Sequence, residues 1–254
     1  MIKSHLFTRS LPALSCLLAG LVLLACGSDS TTGSTGSTGT GGGSETTSSS
    51  SGSTGTGGSA AVSTITEARA LAEGATATVE GFVTVVPGTF NSATGDQGFA
   101  IQDDGAGVYV SLTELIELPL DQHVRVTGKL TQVAKQTVLT ITKDGVTKLD
   151  GPKAITPVDA KTGDVKEAVE GKLIRVSGKV TKPLVDDAPY GAKLFIDDGS
   201  GETQVFVHNV AGKPVIDVTS LAVDQQLTVV GLGAQYEAAY EVCPRKTDDL
   251  TKTP

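Results

Sequence analysis

The stretches IQDDGAGVYV (101–110) and FIDDGSGETQVFV (195–207) each set two adjacent carboxylates beside two glycines, Asp103-Asp104 and Asp197-Asp198. Such pairs serve as oxygen ligands for a metal ion, as acid and base, or as the residues of a tight turn. A calcium loop needs the alternating oxygen donors of a DxDxDG pattern, and neither run has them. Acid and base need a defined separation across a substrate, and nothing else in the sequence converges on these positions. Asp-Gly between alternating strands signals a hairpin, because glycine accepts positive φ and aspartate side chains accept from nearby backbone N–H groups. Both runs are therefore read as turns. Matching Phe99 and Ile101 to the core positions Leu194 and Ile196 requires one extra residue before the glycine of the first run, which predicts a bulge.

Other reactive groups are sparse. After removal of an N-terminal signal only His123 and His208 remain, with no Cys or His cluster at metal-ligand spacing. No GxSxG nucleophile elbow is present. The histidines line up with the polar positions Gln226 and Ser111, which predicts exposed rings. No catalytic residue, metal ligand or cofactor is assigned, and the chain is read as not an enzyme.

The first 25 residues read as a signal peptide: Lys3 and Arg9 precede the apolar core 11–25. At fifteen residues that core is short for a bilayer span, which needs about 20. Leu23-Leu24-Ala25-Cys26 resembles the lipobox of bacterial lipoproteins, which implies acylation of Cys26 and anchoring in a membrane. Ser28 stands where the enterobacterial rule places an inner-membrane retention aspartate, so the resemblance implies the outer membrane, facing periplasm or exterior. Residues 26–60 are almost wholly Gly, Ser and Thr after the cysteine, the composition of a flexible tether. With Cys16 removed and Cys26 lipidated, Cys243 has no partner and is expected as a small buried apolar residue.

From residue 61 onward short alternating runs of Val, Ile, Thr and Leu are broken by Gly, Asp and Pro. The chain repeats itself: ATVEGFVTVVP matches LIRVSGKVTKP, GFAIQDDGAGVYVS matches KLFIDDGSGETQVFVH, and LDQHVRVTGKL matches VDQQLTVVGLG. Two modules are expected, 61–156 and 157–254, each with about five strands preceded by a short helical pattern (ITEARALAEG and GDVKEAVEG). Five strands with a long first one predict an all-β protein of two tandem Greek-key OB-fold barrels; an immunoglobulin-like sandwich wants about seven. The runs GFVTVVPGTF, GFAIQDDGAGVYV, FIDDGSGETQVFV and YEVCPRKTDDL resemble OB-fold modules of bacterial secreted nucleases and surface lipoproteins. In those nucleases the module accompanies a separate catalytic domain, so the resemblance implies an accessory binding role.

OB-folds bind ligands on the outer face of the second and third strands, using aromatic rings as stacking platforms. If Val205 and Val207 point inward, Phe206 and His208 point outward, joined from the first strand by Arg175 and Lys179. The first copy offers Phe82 and Tyr109 at equivalent positions. These six residues are the candidate ligand-binding set. A competing expectation is that Phe206 and Tyr109 pack against a loop or the neighbouring module. Charge weighs against nucleic acid: residues 61–156 hold 7 Lys plus Arg against 11 Asp plus Glu, and residues 157–254 hold 11 against 15, each a net of minus four. Two function classes follow, a lipid-anchored binding module for an envelope polymer, glycan or protein, and a binder of extracellular nucleic acid or accessory subunit of a nuclease. Oligomeric state is left open.

Overall fold

The computed structural model describes residues 61–253. The segments read as a signal peptide (1–25) and as a tether beginning at Cys26 (26–60) lie outside the described residues. Helix α1 (Ile65–Arg69) leads into β1 (Thr76–Val85), β2 (Phe99–Gln102), β3 (Gly107–Ser111), β4 (His123–Val133), β5 (Gln136–Thr140) and β6 (Val146–Lys148). β1 pairs with both β2 and β4, and β3 runs parallel to β5, so the strands close in the order β1-β2-β3-β5-β4. The second copy comprises β7 (Val158–Asp159), β8 (Leu173–Val180), β9 (Val185–Asp187), β10 (Gly191–Asp197), β11 (Thr203–Val210), β12 (Lys213–Pro214), β13 (Gln226–Tyr236), β14 (Ala239–Cys243) and β15 (Leu250–Lys252). It closes the same way, β8-β10-β11-β14-β13, again with one parallel pair, β11–β14. The chain is all-β, two closed five-stranded barrels with the connectivity of the OB-fold.

The period-two patterns place the cores. Val108 and Val110 of β3 and Val124 and Val126 of β4 point into barrel one, around Phe99, Ile101 and Leu139. Barrel two is filled by Ile174, Val176, Leu194, Ile196, Val205, Val207, Leu227 and Val229. The first strand must bend to serve both halves of its barrel, and glycine occupies that point in each copy. A Cβ on Gly81 would lie 3.1 Å from the carbonyl oxygen of Gln102, and one on Gly178 would lie 2.8 Å from the backbone of Asp197.

Two local expectations are corrected. The first hairpin does carry one more residue before its glycine, Ile101 to Gly105 against Ile196 to Gly199, but it has one fewer after Gly107. Residues 102–107 between the pair Ile101–Val108 therefore match 197–202 between Ile196–Thr203, and the hairpin has no bulge. The irregularity instead falls in β1, between Val83 and Val85. A helix forms only in the first copy, where Thr64 and Glu67 make a reciprocal capping box. In the second, GDVKEAVEG makes two 3-10 turns, because Thr162 Oγ1 is held by Asp198 at 2.8 Å and Gly163 N by Ser200 Oγ at 2.9 Å.

A candidate site between the barrels

The aspartate pairs behave as turn residues. Asp103 Oδ1 accepts from Gly105 N (2.8 Å) and Ala106 N (2.7 Å), while Oδ2 accepts from Ile65 N at the start of α1 (2.9 Å). Asp197 Oδ1 accepts from Gly199 N at 2.6 Å. Only the second turn uses glycine at positive φ, Gly199 at 96° and Gly201 at 137°; the first is closed by the Asp103 side chain together with Asp103 N donating to Ala106 O at 3.0 Å. Asp198 is held well below the usual carboxylate range by the Ser200 and Thr162 hydroxyls.

The candidate binding residues do not form one surface. Phe206 does point out of barrel two, but into a third apolar cluster with Val85, Phe90, Ala100, Leu232, Ala234 and Cys243, packed against Tyr109 of barrel one. It is 7% exposed. The expectation that His208 lies in solvent is corrected as well: its ring stacks on Phe90 (4.6 Å), meets Phe206 edge-on (4.7 Å), and its Nδ1 is 2.7 Å from Ser92 Oγ. Enclosure between those two rings brings its pKa down to about 4, so it is neutral at pH 7. Arg175 lies apart, paired with Asp159 at 2.9 Å, and Lys179 is exposed beside β13 and β10. Phe82 stacks on His123 (4.7 Å) with Lys153 Nζ 5.6 Å from its centroid, a small patch of its own on barrel one.

Polar groups close the seam around that cluster. Gln102 Oε1 accepts from Leu173 N (2.7 Å), Arg245 Nη1 donates to Thr84 O (2.6 Å), and Arg69 Nη2 reaches Glu167 (2.9 Å) and Glu170 (3.0 Å). The backbones touch where Gly107 meets Gly171; a Cβ on Gly107 would lie 2.0 Å from the Gly171 carbonyl oxygen. The outer face of β2 and β3, where OB-folds bind, is thus consumed in barrel one by its neighbour.

Two clefts of about 190 Å³ open between the barrels, one beside Arg69, Gly105 and Glu170 and the other lined among others by Phe90, Asp96, Tyr109, His208, Tyr236 and Glu241. The mouth of the latter lies at the hairpins β4–β5 and β13–β14, joined by Glu237 N donating to Ala134 O (2.7 Å), with Val133 57% and Tyr236 65% exposed. Deeper, Glu241 is 6% exposed and accepts from Gln204 Nε2. Burial pushes its carboxyl up to about 7, and burial likewise raises Asp96, against the bonds it takes from Leu112 and Gly98 N–H groups. Burial, reinforced by Asp96, holds the Tyr109 phenol well above its ordinary value, and burial raises the Cys243 thiol. Sequence reading missed Glu241 and Asp96, since neither sits in a motif and a strand glutamate ordinarily marks the wet face.

The Glu241 value has a consequence for stability. A carboxyl raised from 4.5 to about 7 on folding binds more protons in the native state. Its contribution is therefore undiminished below about pH 4.5 and is lost as pH rises toward and past 7. Glu241→Gln keeps the acceptor for Gln204 and removes the charge. It is expected to raise stability at pH 8 by about 3 kcal/mol and to change it little at pH 4.5; urea denaturation at both pH values checks this.

No protein-family model and no curated protein matches the chain. Solved structures of similar path include a murine DNA-binding protein bound to double-stranded DNA, at 11% identity and TM-score 0.40, covering 70% of this chain and 96% of that one. A p202 HIN1 domain in complex with 12-mer double-stranded DNA matches at 12% identity and TM-score 0.32, over 69% and 91% of the two chains. A replication protein A heterotrimer bound to single-stranded DNA matches at 9% and 0.28, over 70% and 48%. At these values no functional residue transfers, and the site rests on this chain's own geometry.

Proposed function

We propose that this chain is a non-catalytic binding protein held at the cell envelope by lipid on Cys26, and that its recognition site is the aromatic-lined cleft between the barrels. The observation that carries the site is the pair of buried carboxylates, Glu241 and Asp96, set among aromatic rings in an open cleft built by both barrels. Concave, mostly apolar sites with a few shifted polar groups are where small ligands bind. Binding is supported over turnover by the state of the thiol, phenol and imidazole there. Tyr109 and Cys243 are held protonated, and His208 is stacked away between Phe90 and Phe206. Hydrolytic turnover by the purified chain overturns this reading. Radiolabelled fatty acid is expected on the wild type and absent from Cys26→Ala; equal labelling overturns the anchor.

One observation favours a nucleic-acid reading. Phe195 lies on the outward set of β10, with Lys182 Nζ 4.5 Å from its ring centroid and Lys179 on the outward set of the adjacent β8. An aromatic platform beside two lysines is the pattern that stacks single-stranded bases. On this reading Phe195→Ala weakens binding of a labelled oligonucleotide about tenfold, within the 1–3 kcal/mol expected of one stacking ring, and binding falls steeply with salt. Anisotropy titrations at low and near-physiological salt check it, and binding that ignores salt rules it out.

A further inference from the structure

Resting on the assignment of the inter-barrel cleft as the recognition site, we infer that the ligand is an organic ammonium cation with a short apolar body, its charged head against Glu241 and its body beneath Tyr236 and Val133. The argument begins from charge. Among the described residues neither Glu241 nor Asp96 has a Lys, Arg or His within ion-pair distance. A buried carboxylate without a counter-ion costs stability, so the cleft carries a charge that its own fold does not offset.

The surroundings of Glu241 bear this out element by element. On its own strand it faces the Cys243 thiol, 3.6 Å away, which stays protonated. From β11 it meets the neutral Gln204 amide. The one cation that favours its ionised form from a distance, Lys193 on β10, is already paired with Asp187 on β9 at 3.0 Å, and Asp187 acts in the opposite sense. Across the cleft barrel one contributes Asp96 and Tyr109, and β11 contributes His208, which is neutral at pH 7. Every group that lines the site is acidic or uncharged.

The shape supplies the second half. Aromatic faces attract cations through their quadrupole, and Phe90, Tyr109 and Tyr236 line the walls. An anion is excluded by two carboxylates, and a purely apolar ligand would leave them buried and unpaired. Tyr236 and Val133, exposed at the mouth, are placed to cover an alkyl or aryl body once the head is inside. The head of a free amine and that of a lysine side chain presented by another protein share this chemistry.

The test uses the full chain and n-butylammonium, with 1-butanol as the uncharged counterpart, in isothermal titration calorimetry. Butylammonium is expected to bind, and 1-butanol to bind at least tenfold more weakly. Affinity should fall tenfold or more from pH 8 to pH 5.5 and be lost to a similar extent in Glu241→Gln, a variant expected to fold at least as stably. At pH 7 binding should release up to about half a proton, since a carboxyl with a pKa of about 7 is half protonated there, and titration in two buffers of different ionisation enthalpy reads that release. A structural role for Glu241 would not move proton release. A lysine amide derivative that binds tenfold more tightly than butylammonium assigns the head to a protein side chain; the reverse assigns it to a free amine. If 1-butanol binds as well as the amine and Glu241→Gln binds both unchanged, the cation class is overturned and the cleft stands. If neither probe binds at any pH, and a chemical shift on the Tyr236 ring is unmoved by either probe, both the class and the cleft are overturned.

Discussion

Phe206→Ala is expected to lower the free energy of unfolding by about 3–5 kcal/mol, the range for deleting a buried aromatic ring. The ring fills the seam among Val85, Phe90, Leu232 and Cys243, and it lies directly on Gly191, where a Cβ would sit 3.0 Å from its edge. Truncation leaves a void that both barrels border and removes one wall of the His208 ring. Urea denaturation gives the magnitude directly. Phe206→Leu should recover much of it, because the void shrinks while the site stays apolar. A change under about 1 kcal/mol would show that the barrels do not depend on this contact. The result also guards against a misreading. Loss of any ligand in Phe206→Ala would report a loosened seam and not a missing stacking platform, so Phe195→Ala is the variant that tests an exposed ring.

Arg69→Met has the second large effect. Arg69 on α1 of barrel one reaches Glu167 and the buried Glu170 of the segment before β8, and Glu170 Oε1 also accepts from Thr137 N at 3.0 Å. The Glu170 side chain is 0% exposed and its Oε2 has no partner among the described residues. Burial already raises its pKa, and Arg69 is the main influence holding it down. Removing the guanidinium leaves a charge buried alone, a loss of about 3–5 kcal/mol at pH 8. The sign with pH follows. A carboxyl whose folded pKa is raised binds more protons when folded, so its contribution is whole below its unfolded value near 4.5 and lost as pH rises through the folded value. The defect in Arg69→Met should therefore shrink on acidification from pH 8 to 5. Adding Glu170→Gln should restore most of it at pH 8. Denaturation midpoints of the two variants at both pH values check this, and a loss independent of pH would assign it to packing of the arginine stem instead.

Both effects concern groups whose importance no local pattern announces. The barrels themselves were legible, because alternation with period two separates core from surface in each strand and the repeat doubles every signal: Val108 and Val110, Val205 and Val207 all point inward as expected. The turns were legible too, since Asp103 and Asp197 act on backbone N–H groups within four residues. Alternation, however, reports only that a side chain leaves its own barrel. It does not distinguish water from a second barrel, which is why Phe206 and Tyr109 fitted both a binding face and packing on the neighbouring module, the second of which the seam bears out, and why His208, expected in solvent, is instead stacked there.

The amino-acid sequence by itself determined two copies of one closed barrel and the aspartate turns that link their strands. Only the tertiary structure decided which outward faces meet, and with that which carboxylates lose their water. Desolvation depends on atoms brought together from distant parts of the chain, Asp96 and Tyr109 from one barrel with Glu241 and His208 from the other, and a charge left without a partner is visible only once all of its neighbours are in place.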